Sequence, residues 1–92
     1  MQYYTTPSFE RSLRGLDEAR RERIKKAIKL TVAFFETGQF TRGLGVKPLR
    51  NKLWEIRAGI SDRVIFRKNK DMIYFVLAGS HDEIQRFLKR SS

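Results

Sequence analysis

The sequence predicts an α+β fold: an N-terminal helical hairpin packed on a mainly antiparallel sheet of four to five strands, with a short C-terminal helix. Three observations carry this. Between Leu53 and His81, in LWEIRAGISDRVIFRKNKDMIYFVLAGSH, three segments rich in β-branched and aromatic residues are separated by AGISD and KNKD, both built from turn-favouring residues. Such a pattern describes consecutive antiparallel strands. Before them, Ile24, Ala27, Ile28, Thr31, Phe34 and Phe35 recur at helical spacing. Finally, alternation places Trp54, Ile56, Val64 and Phe66 on one side of the first two strands, an oily face that needs the cover a helical hairpin supplies.

Taken in order, Gln2 to Thr5 is short and β-prone, as suits an edge strand. Thr6 followed by Pro7 fits an N-cap with proline at the first helical position, where its missing N–H costs nothing. Phe9, Leu13 and Leu16 then define a short helix that stops near Gly15. Asp17 caps a second helix over about Glu18 to Thr37, whose other side carries Arg20, Arg21, Arg23, Lys25, Lys26 and Lys29 as a solvated face, and Gly38 ends it. GQFTRGLGV, from Gly38 to Val46, lacks periodicity and predicts a loop. It has no Lys-Ser or Lys-Thr at phosphate-loop spacing. Val46 to Arg50 suits a further short strand. Met72 to Ala78 is apolar on both sides, as at a sheet centre, and Asp82 to Arg90 carries Ile84, Phe87 and Leu88 as a last helix.

At 92 residues the chain is expected to form one domain, residues 1–92, that buries roughly 60 to 65% of its unfolded surface. No cysteine is present, which excludes disulfides, thiolate nucleophiles and cysteine-bound zinc and fits a reducing cytoplasm. No apolar run approaches the roughly 18 residues of a membrane span, and MQYYTTPSFE lacks a signal peptide's features, so no membrane association is expected. Twenty Lys and Arg against ten Asp and Glu give a net charge of +10. A field of that sign draws polyanions without choosing among them.

The sheet face opposite the oily one carries Glu55 and Arg57 on the first strand and Arg63, Ile65 and Arg67 on the second. Lys47 and Arg50 precede it, and His81 follows the third strand. Guanidinium groups on a rigid sheet hold phosphate by forked hydrogen bonds and stabilise a pentacovalent intermediate, while a carboxylate and an imidazole exchange protons. Those are the parts of a metal-free ribonuclease, and no cofactor is expected. The same residues are also readable as solvated surface charges, and His81 as the start of a helix; Trp54 reads as core. One histidine among scattered carboxylates gives no metal-ligand spacing, and Ser80 beside His81 gives no hydrolase triad.

In element order, and in KPLRNKLWEIRAGISDRVIF with its "pL…LWEiR…yRviF" pattern, nearly the whole chain resembles the RelE/ParE superfamily of bacterial type II toxins. The resemblance implies a toxin that cuts mRNA in the ribosomal A site and is held inactive by a cognate antitoxin. Attack by a ribose 2′-hydroxyl would leave a 2′,3′-cyclic phosphate or 3′-phosphate and a 5′-hydroxyl. Carried over by position, Arg63 corresponds to the arginine at the scissile phosphate. His81 corresponds to a general acid, and Arg57 and Glu55 correspond to strand positions where ribosome-dependent relatives often carry basic residues, with Glu55 as an alternative base. Lys47, Arg50, Lys52 and Arg67 correspond to contacts with the RNA. Ribonuclease members often carry an aromatic residue near the start of the final helix, where this chain has Gln85. A ParE-like inhibitor of DNA gyrase, which needs no catalytic acid, is the alternative on the same fold, and a basic RNA-binding domain without toxicity is a third.

Overall fold

The computed structural model describes residues 1–91, with strands β1 (Gln2–Thr5), β2 (Lys47–Pro48), β3 (Leu53–Ala58), β4 (Asp62–Asn69) and β5 (Met72–Ser80) and helices α1 (Pro7–Arg14), α2 (Glu18–Thr37) and α3 (His81–Ser91). Local signals act where expected. Thr6 accepts the Phe9 N–H at the start of α1, Asp17 accepts the Arg20 N–H at the start of α2, and Gly38 ends α2 at φ 74°. Asn51 and Lys52 both lie at positive φ in the tight turn between β2 and β3, which shortens the expected 46–50 strand to two residues.

The strands join in the order β1-β5-β4-β3-β2, with β3, β4 and β5 an antiparallel meander and β1 parallel to β5. Thus β4, rather than the more apolar β5, takes the middle, while β5 lies between β4 and β1. A register shift between Ile65 and Phe66 leaves Val76 of β5 without a cross-strand partner. There α1 substitutes for a strand: Ser8 donates to the Val76 carbonyl (2.7 Å), and Ser12 accepts the Ala78 N–H (3.1 Å).

Helices α1 and α2 cover the oily face. Phe66 is fully buried at its centre, stacked on Trp54 (6.1 Å, 14°) and met edge-on by Phe35 (5.8 Å, 85°). The opposite face corrects the sequence expectation of a continuous charged surface. Ile65 is fully buried, because α3 lies across that face and packs Ile84, Phe87 and Leu88 on Leu53, Ile65 and Leu77. Those helical side chains need an apolar surface, and the first face is already taken. The basic flank of α2 is corrected too. Arg20 holds Asp62, which is 1% exposed, by two hydrogen bonds (2.7 and 3.1 Å), tying the start of α2 to the start of β4 and raising the guanidinium pKa.

Candidate functional site

The alternation of β3 and β4 builds the site. Arg57 and Arg63 are direct cross-strand partners, and Glu55 faces Lys47 of β2 and Ile65 of β4, so all four charged side chains rise from one face. Like charges placed opposite each other destabilise a sheet. Beyond Arg63 its partner on β5 is Gly79, without a side chain, and α3 begins two residues later with His81. Any Cβ at Gly79 would come within 3.0 Å of the Glu83 carboxylate, so the glycine lets the first turn of α3 approach the sheet.

Lys47, Glu55, Arg57, Arg63, His81 and Gln85, with residues 45–46, line a concavity of about 380 Å³ where α3 leaves the sheet. Three permanent cations there outweigh one carboxylate. Arg63 is steadied by its donation to the carbonyls of Asp62 (3.1 Å) and Ile60 (3.4 Å). The Arg57 N–H donates to the Leu44 carbonyl (2.8 Å), and its side-chain stem lies under Gly45, at φ 60°, where a Cβ would stand 3.2 Å from the Arg57 Cδ. The His81 N–H donates to the Ser61 carbonyl (3.3 Å), while its exposed ring reaches Asp82 at 3.6 Å. An anion of phosphate size is the ligand such a charge distribution favours.

Not every residue expected at the site arrives there. Arg50 lies further along α3, beside Leu88 and Lys89. Arg67 is four residues along β4 from Arg63, about 13 Å at strand spacing. It sits beyond the apolar patch under α3, near Lys52, whose ammonium donates to Asn69. Gln85, noted in the sequence for the aromatic it replaces, stands one helical turn after His81 on the same wall, and sequence reasoning missed two further features of the site: Gly45, under Arg57, and the signal Ser80-x-x-Glu83. That last is a capping box: the Ser80 N–H donates to Glu83 (2.9 Å) and the Glu83 N–H to the Ser80 hydroxyl (3.2 Å), which fixes His81 as the first helical residue.

The box has a pH signature. The Ser80 backbone N–H, helped by the Ser80 hydroxyl and the cations Arg20 and Arg86, holds the Glu83 carboxyl below its usual range. A folded-state value below the unfolded one means the cap is complete above about pH 4.5 and is lost as pH falls through the lower, folded value. Protection against amide exchange in α3, relative to the intrinsic rate at each pH, is therefore expected to fall below that pH. Glu83→Ala should cost about 0.3 to 1.5 kcal/mol and remove the pH step, while Glu83→Gln should keep the stability and lose only the step. An unchanged step in either variant contradicts this.

No family model matches the chain, and no curated protein does. Solved structures do match. The chain superposes on YafQ from E. coli with a TM-score of 0.74 at 10% identity, covering 90% of this chain and 96% of that one. Against the RelB-RelE antitoxin-toxin complex from Methanococcus jannaschii the TM-score is 0.69 at 20% identity, over 91% and 96%. Against a YoeB/ParE toxin from Agrobacterium tumefaciens it is 0.63 at 18%, over 88% and 99%. The fold is therefore the RelE-like one expected from the sequence, an α+β arrangement with a mostly antiparallel five-stranded sheet.

Proposed function

We propose that this chain, which carries the fold of the RelE, YafQ and YoeB/ParE toxins, is the toxin of a type II toxin-antitoxin pair and cuts mRNA on the ribosome without a metal. The observation that carries the proposal is the convergence of Arg57 and Arg63, from neighbouring strands, with Lys47, Glu55 and His81 in one concavity. The 2′-hydroxyl of the nucleotide before the scissile bond gives its proton to Glu55, and its oxygen attacks the phosphorus. Arg63 and Arg57 stabilise the added negative charge. The P–O5′ bond breaks, and the leaving oxygen takes a proton from protonated His81, leaving a 2′,3′-cyclic phosphate and a 5′-hydroxyl. Gln85 stands where an aromatic is common among ribonuclease relatives, and supplies an amide that orients the nucleotide.

A protein antitoxin as partner is supported by the same likeness, the Methanococcus jannaschii match being an antitoxin-toxin complex, and by the charge of +10, which favours an acidic partner. The test is to add purified protein to a translating extract and map the mRNA ends. Cuts with 5′-hydroxyl termini are expected, and His81→Ala should slow them about 10²- to 10⁴-fold, the range for losing a general acid. Intact message, with DNA breaks in expressing cells and arrest unchanged by His81→Ala, would replace the proposal with gyrase inhibition.

A further inference from the structure

A second basic groove lies on the other side of the loop over residues 41–46. It has a volume of about 420 Å³ and is walled by Arg23 and Lys26 of α2, Arg42 of the loop and Arg57 of β3. Its lining contains no acidic residue, and among the described residues none of these four cations makes an ion pair. Two guanidinium stems are held against glycine backbone: Arg57 under Gly45, and Arg23 beside Gly59, where a Cβ would stand 3.1 Å from the Arg23 Cδ. Arg57 lines both concavities. Between the end of α2 and that loop, Phe40 is 75% exposed, two residues before Arg42.

We infer that this groove is a second phosphate-binding subsite, which takes the backbone of the same single-stranded RNA beyond the reacting linkage. The inference rests on the function proposed above. Cations that track a backbone, together with an exposed aromatic on which a base stacks, are the elements that bind single strands without reading sequence. Arg23, Lys26 and Arg42 meet the phosphates, Phe40 stacks a base, and Arg57 lies where the strand passes from one concavity to the other. An acidic peptide fits less well. The Arg57 N–H already donates to Leu44, so the strand is closed to an added peptide strand there, and peptide binding gives the exposed Phe40 ring no base to stack on.

The test uses 2′-deoxy oligonucleotides, which bind but cannot be cut, in lengths of three and ten nucleotides, with affinity followed against salt. The ten-nucleotide strand should bind wild-type protein more tightly than the trinucleotide. Lys26→Ala/Arg42→Ala and Phe40→Ala should each lose about tenfold on the longer strand and leave the trinucleotide unchanged. The double variant should also flatten the salt slope by about 0.7 for each phosphate that its side chains no longer neutralise. Equal affinity of the double variant and wild type for the long strand overturns the inference, as does an equal loss at both lengths. So does an oligoglutamate of matching charge that binds as tightly as the strand and is lost in the same variants. A protein that shows the length dependence but cuts no message keeps the subsite and loses the nuclease assignment; cleavage with no length dependence does the reverse.

Discussion

Replacing Arg63 with alanine is expected to lower mRNA cleavage about 10²- to 10³-fold, equivalent to about 2.7 to 4 kcal/mol of transition-state stabilisation, with little change in thermal stability. The catalytic part follows from geometry. Arg63 is directly opposite Arg57 on the wall of the concavity where two strands present guanidinium groups, and its donation to Asp62 and Ile60 restricts its movement. A charge held in place stabilises developing negative charge without reorganising. The stability part follows because Arg63 makes no ion pair among the described residues, and its loss relieves a like-charge pairing with Arg57. Arg63→Lys should recover only part of the rate, since an ammonium cannot make the forked contact. Counting 5′-hydroxyl ends in a translating extract, beside a thermal melt, checks both halves; a rate within about threefold of wild type would contradict the assignment.

Phe66→Ala is expected to cost about 3 to 5 kcal/mol, the range for emptying an aromatic site in a packed core. Phe66 is fully buried on the central strand and touches rings from three directions: Trp54 of β3, Phe75 of β5 and Phe35 of α2. Those elements belong to both the sheet and its cover, so the cavity cannot close by moving one side chain. With total stabilities of roughly 0.05 to 0.15 kcal/mol per residue, a loss of this size removes much of the folding free energy of a chain this short. Urea denaturation reads the difference directly. Ile60→Ala, at a side chain 98% exposed, is the control and should stay within about 0.5 kcal/mol of wild type. A Phe66→Ala loss below about 1.5 kcal/mol would mean that α2 collapses into the space.

Much of this was legible in the linear pattern because the signals are local. Thr6-Pro7, Asp17 and Gly38 act within one helical turn, and the alternation of Trp54 to Arg57 with Arg63 to Phe66 assigns side chains to faces once the pairing register is right. The same alternation brings Arg57 and Arg63 together. Arg50, Lys52 and Arg67 show its limit. They share the basic character of the site residues, but α3 divides the face they were expected to share, and no local pattern says where a terminal helix will lie. Ser80-x-x-Glu83 is a local signal of the same kind as Thr6 and Asp17, overlooked in the linear pattern, and it fixes His81 at the helix start.

By itself, then, the order of residues determined the elements, their caps and the side of each strand that would be oily, since these depend on neighbours a few positions apart. Tertiary structure alone decided that β4 takes the middle, that Arg20 reaches Asp62, and that α3 covers half of the second face and leaves the other half as a walled concavity. Those outcomes depend on competition among distant segments for the same apolar surface and the same unpaired backbone and charged groups, and that competition is settled only when the whole chain packs.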